Sequence, residues 1–491
     1  MTQTRTIKDY DNIYFVGAGG IGMAALVRYC LHANKNVAGY DRTPTVLTHN
    51  LIDEGADITF EDSADVIGEA FRNPADTLVV YTPAVPETNS ILSYFRKGGF
   101  EVVKRAVLLG KITHGMRDLC FAGTHGKTTT SSMAAYILDR APVGCNAFLG
   151  GILRNVGSNL ILNGSSDLCV VEADEYDRSF HQLRPYVAVI TATDPDHLDI
   201  YGTEEAYLES FAHFTELIRE DGALLLHTGL KVVPRPVAGV RRYTYSRDEG
   251  DFHAANIRRG GGEIVFDIVH PFGDPICDIS LGVPVEINIE NAVAAVGACL
   301  IALGDNQSQL PHEAIRSALA RFQGAERRFQ FHLKEPMPGG HVIIDDYAHH
   351  PDELRQSIAS VKALYPESKL TVAFQPHLYS RTREFAAAFG AALGLADDVV
   401  VMDVYGARED PVPGVTGAMV ADAVALPAGQ VRFEPTWSAA APTLAERAQP
   451  GQFVAFAVGG PTSAMLLRRS IAIARVADGV VTVVVAPHAA G

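Results

Sequence analysis

The sequence lacks several features that would have placed it in common classes. No apolar run reaches the ~18 residues of a membrane span, and the N-terminus, MTQTRTIKDYDN, has no apolar segment of the secretory kind. Basic residues are outnumbered, 41 against 57 acids, for a net charge of −16. That balance argues against general nucleic-acid binding and against binding to anionic membranes, both of which favour a basic surface. It leaves room for a phosphorylated ligand, which a few backbone amides and a lysine can hold. The six cysteines (Cys30, Cys120, Cys145, Cys169, Cys277 and Cys299) include no C-x-x-C pair, so neither a zinc site nor a disulfide framework is indicated. They read as buried thiols in a reducing, cytoplasmic compartment. Internal repeats and long low-complexity linkers are also missing.

What is present is an α/β rhythm. Hydrophobic residues make up 47% of 491 positions, enough for several cores. At roughly 150 residues per domain the length predicts three. In the first, 1–111, buried strand patterns at Asn12 to Gly17, Asn36 to Tyr40 and Thr77 to Tyr81 alternate with helix patterns. In the second, 112–323, strands are predicted at Asp118 to Ala122, Leu168 to Val171 and Val187 to Thr191, with helices at Thr128 to Leu138 and Asn291 to Ala302. The Gly-rich stretch from Gly222 to Ile287 predicts a small antiparallel appendage. The third, 324–491, repeats the rhythm with strands at His341 to Asp345, Lys369 to Phe374, Asp398 to Met402 and Phe453 to Val458, and a last strand within Gly479 to Val485.

Two glycine motifs follow strands directly. Gly17, Gly19 and Gly22 stand in G-x-G-x-x-G spacing, beside Gly20, and Asp41 ends the next strand. Such glycines let a backbone approach a diphosphate at a helix N-terminus, and the diphosphate of a UDP-sugar serves as well as that of NAD. The same spacing also makes a tight turn with close helix packing and no ligand. The second motif, Gly123-Thr124-His125-Gly126-Lys127-Thr128-Thr129, is a phosphate loop shortened by two residues. Its amides and helix N-terminus would face a phosphate, Lys127 would reach the transferring group, and the Thr128 hydroxyl would sit on Mg²⁺. Glu172 and His197 follow the next strands. Loops at the carboxyl ends of parallel strands share one crevice, so Lys127, Thr128, Glu172 and His197 are expected to converge. Taken alone, the DPDH run at His197 is a solvated loop. Two further polar clusters, Asp345 to Pro351 (DDYAHHP) and Gln375 to Arg383 (QPHLYSRTR), end consecutive strands of the third domain.

The order of these motifs resembles the Mur ligase family of peptidoglycan-precursor enzymes over nearly the whole chain. The short loop is that family's own phosphate loop, and VGAGGIGM, EADE (Glu172 to Glu175), DHLDIYG (Asp196 to Gly202), RRF (Arg327 to Phe329), DDYAHHP and FQPHLYSRTR resemble its alanine-adding branch. The resemblance implies three domains: a Rossmann-like N-terminal domain, a central P-loop ATPase-like parallel sheet, and a Rossmann-like C-terminal domain. It implies ATP-dependent amide synthesis with Mg²⁺, in which UDP-N-acetylmuramate receives a phosphate on its lactyl carboxylate and L-alanine then attacks. The alternative is a recycling ligase that adds a whole L-Ala-γ-D-Glu-diaminopimelate tripeptide. The protein is expected to be a monomer or homodimer.

Residue by residue, the resemblance assigns ATP to Gly123, Thr124, His125, Gly126, Lys127, Thr128, Thr129, Asn291, Arg328 and Asp346. It assigns metal to Thr128, Glu172 and His197, and the sugar nucleotide to Gly17, Gly19, Gly20, Gly22, Asp41 and Thr82. The incoming alanine falls to Tyr347, His349, His377 and Arg381, and catalysis to Lys127, His197, His349 and Arg381. Leu378 stands where the family often has arginine, Ile287 where histidine is common, and Val458-Gly459-Gly460-Pro461 in place of Gly-Ala-Gly-Asp. No lysine lies between Lys127 and Lys231, which closes the carbamylated-lysine route to Mg²⁺ used by some relatives.

Overall fold

Parallel strands that are covered on both faces read as near-continuous apolar runs at the centre of a sheet. The first sheet follows that rule: β1 (Asn12–Val16) is buried throughout, and β2 (Asn36–Tyr40), β3 (Asp57–Thr59), β4 (Thr77–Tyr81) and β5 (Glu101–Lys104) join it in the order β3-β2-β1-β4-β5, all parallel. The computed structural model describes residues 5–260, 263–326, 329–335, 341–346, 348–406, 409–447, 452–458, 472–477 and 480–484. The expectations for Arg328 and Tyr347, and for the Gly459-Gly460-Pro461 departure, fall outside these residues.

The second sheet holds β6 (Arg117–Ala122), β7 (Asn146–Leu153), β8 (Ser158–Ile161), β9 (Leu168–Glu172), β10 (Val187–Ile190), β11 (Ala223–His227) and β12 (Arg241–Tyr245) in the order β12-β11-β10-β6-β9-β7-β8. All pairs are parallel except β7 with β8. The central strand, β6, is flanked by β9 and β10, strands that the chain reaches from opposite sides. That is the switch point at which the carboxyl ends of parallel strands open a crevice.

Here the structure departs from the sequence reading. The region from Gly222 to Ile287 is not wholly antiparallel, because β11 and β12 extend the central sheet in parallel. Only β13 (His253–Gly260), β14 (Glu263–Val269) and β15 (Ile276–Ser280) form the small separate sheet, with β14 and β15 antiparallel. Period-two patterning marks a strand but carries no direction, and a short strand such as β12 shows little else.

A further sheet contains β16 (Gln330–Lys334), β17 (Val342–Asp346), β18 (Lys369–Gln375), β19 (Asp398–Val401), β20 (Val431–Phe433) and β21 (Gln452–Val458) in the order β16-β17-β21-β18-β19-β20, parallel but for β16. A hairpin, β22 (Ala472–Ala477) with β23 (Val480–Val484), follows.

The chain packs as two units. One runs to Arg258 and adds 265–282 and 288–325; the other takes 259–264, 283–287 and the chain from Glu326 on. Within the first unit one apolar core passes unbroken from Ile13, Phe15 and Val80 of the first sheet, through Ala24, Leu26 and Val27 of the helix Ile21–His32, to Phe148, Val171 and Ile190 of the second. Tyr29 meets Phe148 at 5.7 Å between ring centres, and Asn159 ties the same helix by accepting from Arg28 (2.9 Å) and donating to the Ile21 carbonyl (2.7 Å). Both glycine motifs therefore belong to one packed body. Of the six thiols, five are buried and Cys277 is exposed, contrary to the expectation for it; none is bonded to another. Among the described residues no helix is long and apolar enough to cross a membrane.

Asp118, at the start of β6, is 2% exposed, and its Oδ1 has no hydrogen-bond partner among the described residues. Burial pushes its carboxyl up to about 8, against a Thr113 hydrogen bond and the charge of Arg219. A carboxyl raised in the fold binds its proton more tightly there than in the unfolded chain. Its contribution to stability is therefore full at acid pH and is lost as pH climbs from about 4 to about 8. Asp118→Asn is expected to gain on the wild type by roughly 4 kcal/mol between pH 5 and pH 9. Urea unfolding at the two pH values checks this, and equal stability at both would refute it.

Candidate active site

The phosphate loop leaves β6 and enters the helix Lys127–Arg140. Gly123 (φ +138°) and Gly126 (φ +83°) take left-handed conformations that an L side chain resists. Both are also walled in: a methyl group at Gly123 would collide with the Thr191 hydroxyl, and one at Gly126 would lie 3.1 Å from Asn291 Oδ1. The loop is braced from behind by Thr191, whose hydroxyl donates to the His125 carbonyl, and by Thr124, whose hydroxyl donates to the Asp194 carbonyl (2.7 Å) and meets the Tyr207 hydroxyl (2.9 Å). Asn291 is buried on the helix Ile287–Leu303, where its Oδ1 accepts from Thr130 (3.1 Å) and its amide donates to Asn288 (3.0 Å).

Lys127 folds over the loop. Its ammonium donates to the Gly123 carbonyl, to the Thr124 carbonyl (3.3 Å) and to Glu175 Oε1 (2.8 Å). Burial pulls the ammonium down, but Glu175, with Asp174 and Glu172, outweighs it and holds the group protonated above its usual range. Glu175 is pulled the other way: burial raises its carboxyl to about 7 in spite of Lys127. Both groups feel the desolvation, and lysine is the firmly charged partner.

Glu172, at the end of β9, is held on both oxygens. Thr128 donates to Oε1 (3.0 Å) and the Gly150 amide to Oε2 (3.0 Å). These are hard oxygen donors of the kind Mg²⁺ prefers. His197 follows β10 with φ +53°, and its Nε2 lies 3.9 Å from Glu175 Oε1 and 3.7 Å from Asp196. Lys127, Thr128, Glu172 and Glu175 thus come together, with His197 reaching the group through Glu175. Among the described residues no three His, Cys, Asp or Glu side chains cluster as a ready cation cage.

The first glycine turn lies in the same unit. Gly17 (φ +89°) packs against Thr82, where a methyl group would meet Cγ2 at 2.5 Å, and Gly19 leaves no space beside Thr48 and Asp41. Asp41 accepts the amides of Gly19 (2.7 Å) and Thr43 (3.0 Å), so its carboxylate closes the turn itself. A methyl group at Gly20 would make only ordinary contacts, 3.9 Å from the Gly17 carbonyl and from Met23, and Gly22 abuts Arg105. Gly20, Gly22, Thr82 and Arg105 line one side of a cavity of about 250 Å³; Phe148, Gly150, Glu172 and Asp174 line the other. Arg105 pairs with Asp174 across it, and Lys104 with Asp177 (2.6 Å) beside it.

In the second unit, Asp346 ends β17, accepting from the Phe329 amide (3.1 Å) and the Ser357 hydroxyl. His349 lies 3.4 Å from Glu353 and 6.4 Å, ring to ring, from His377, which stacks on Tyr405. Leu378 takes φ +69° before the helix Tyr379–Leu393, and Arg381 is half-buried in that helix's first turn, where Glu409 accepts from the Ser380 amide (2.9 Å).

Sequence reasoning gave no role to Glu175, Gly150 or Arg105. Gly150-Gly151 carried a signal, since paired glycines within an apolar strand mark a close backbone approach. Glu175 stood inside the quoted EADE without one.

Three sequence profiles match the chain: "Mur ligase family, catalytic domain" at 12–117, "Mur ligase middle domain" at 121–299 and "Mur ligase, glutamate ligase domain" at 327–458. The UDP-N-acetylmuramate–L-alanine ligase of Phocaeicola vulgatus is 56% identical over 85% of this chain and 89% of its own length. The enzyme of the same name from Parabacteroides distasonis is 58% identical over 84% and 88%. The crystal structure of the UDP-N-acetylmuramate–alanine ligase of Thermotoga maritima superposes with a TM-score of 0.74 at 26% identity, covering 93% of this chain and 98% of that one.

Proposed function

The chain belongs to the Mur ligase family, and from that premise we propose that it joins L-alanine to the lactyl carboxylate of UDP-N-acetylmuramate at the expense of ATP. The single observation that carries the reading is the shared cavity. Its lining runs from the turn suited to a diphosphate, at Gly20 and Gly22, to Glu172 and Gly150 beside the phosphate loop.

A carboxylate oxygen is a poor leaving group, so the amide bond needs activation. The γ-phosphoryl group passes from ATP to a lactyl carboxylate oxygen, releasing ADP and leaving an acyl phosphate. The alanine amine attacks the carbonyl carbon, loses a proton, and the tetrahedral intermediate expels phosphate. The loop amides of Gly123 to Thr128 orient the phosphates, and Lys127 neutralises charge on the transferring group. Thr128 and Glu172 would hold Mg²⁺, with His197 assisting at a second ion; bound metal supplies further charge neutralisation on phosphate oxygens. Asn291 is assigned to ATP; it sits beside Gly126, with its Oδ1 taken by Thr130 and one amide hydrogen given to Asn288. In the second unit Asp346 is assigned to the ATP ribose, and His349, His377 and Arg381 to alanine. Arg381 sits at a helix N-terminus, where an anion is favoured. The cytoplasm, where ATP is supplied, is the proposed compartment.

The deciding assay is phosphate release from ATP with UDP-N-acetylmuramate and Mg²⁺, adding in turn L-alanine, L-serine, glycine and the L-Ala-γ-D-Glu-diaminopimelate tripeptide. Release that needs both the sugar nucleotide and L-alanine supports the proposal. Release with the tripeptide alone would transfer the chain to the recycling reaction.

A further inference from the structure

Lys127 has three ammonium hydrogens and three acceptors. Two acceptors, the Gly123 and Thr124 carbonyls, belong to the phosphate loop; the third, Glu175 Oε1 at 2.8 Å, lies outside it. Glu175 is 2% exposed, and its backbone is pinned: its carbonyl accepts from the Tyr201 hydroxyl and the Arg178 amide (3.0 Å). Next to it, Asp174 holds the Tyr176 amide on its side chain (3.0 Å) and the Phe180 amide on its carbonyl (2.9 Å). The other carboxylate oxygen of Glu175, Oε2, is buried with no hydrogen-bond partner among the described residues. A buried carboxylate with one bare oxygen costs stability. Packing alone gives no reason to keep it, whereas the bond made by Oε1 does.

We propose that Glu175 is a positioning residue for phosphoryl transfer. When phosphate oxygens take the donors now spent on the two loop carbonyls, the bond to Glu175 stays and fixes the reach of the ammonium. The 3.9 Å approach of His197 to the same oxygen lets one carboxylate orient both groups. The proposal rests on the ligase reading above, in which Lys127 meets the transferring phosphate.

The test compares steady-state kinetics of the wild type, Glu175→Gln, Glu175→Asp, Lys127→Ala and the Lys127→Ala/Glu175→Gln double variant, each with a melting curve. Glu175→Gln is expected to lower kcat by about 100-fold, as misplacement of a reacting group does. KM for L-alanine and for the sugar nucleotide should stay within about twofold. Glu175→Asp keeps the charge but draws the carboxylate back by one methylene, and is expected to lose kcat as well, which guards against a folding defect in the amide variant. The double variant should be no slower than Lys127→Ala, since the two residues act as one. A Glu175→Gln enzyme within about threefold of wild type, or losses that multiply in the double variant, would overturn the proposal. If the wild type releases no phosphate with any acceptor, the ligase reading falls and this inference with it; an active wild type beside an indifferent Glu175→Gln removes the inference alone.

Discussion

Lys127→Ala is expected to lose turnover by about 1,000-fold or more while still binding UDP-N-acetylmuramate. The ammonium lies over the loop and donates in three directions, so its loss removes the positive charge held there. Sugar-nucleotide binding should survive because Lys127 is not among the residues lining the cavity. Folding should be weakened: removing one partner of a buried pair leaves the other uncompensated, at a cost of about 3 kcal/mol. Because burial already lifts Glu175 to about 7, that cost is smaller at pH 6, where the carboxyl takes a proton, than at pH 8.5. Calorimetric titration with the sugar nucleotide, phosphate release and melting at both pH values test the three parts. A variant retaining a tenth of wild-type kcat would put the ATP site elsewhere.

The second large effect is expected from Gly150→Ala. A methyl group there would sit within contact distance of the Glu172 carboxylate, whose two oxygens are held by Thr128 and by the Gly150 amide, 3.0 Å each. The backbone at Gly150 is not left-handed, so alanine brings no strain of its own and β7 should form. The carboxylate must turn away instead. We expect kcat to fall by about 100-fold, with a rise in the Mg²⁺ concentration needed for half-maximal rate. Gly164→Ala, where a methyl group meets nothing within 4 Å, is the control. Activity of Gly150→Ala equal to that of the control at every Mg²⁺ level would sever the link between this glycine and the phosphoryl chemistry.

The residues these predictions turn on were unequally legible in the sequence. Lys127, Thr128 and Glu172 could be read because each follows an apolar strand, and neighbouring parallel strands deliver their ends to one crevice. That argument needs only strand order. Glu175 was not legible, since its place beside Lys127 depends on a tight turn containing left-handed Asp177 (φ +52°) and Arg178 (φ +55°), which propensity does not foresee. The β7–β8 hairpin was missed because the β-strand Asn146–Leu153 carries Gly150 and Gly151, residues that weaken a strand pattern. The direction of β11 and β12 was misjudged because pairing sense is a property of the partner strand. The glycine spacing also did not reveal that the Asp41 carboxylate accepts the amides of Gly19 and Thr43. A carboxylate at a strand end has nearby amides as competitors for its attention.

The continuous core beneath the two sheets of the first unit has a consequence for selectivity. A ligand anchored at Gly20 can present to Glu172 only whatever its own skeleton carries across the cavity. On the proposed reading the protein would work as a ruler, set to the separation between diphosphate and carboxylate. A nucleotide sugar without the lactyl arm would grip one end of the scale and leave the other to water, so it should bind yet accept no phosphate.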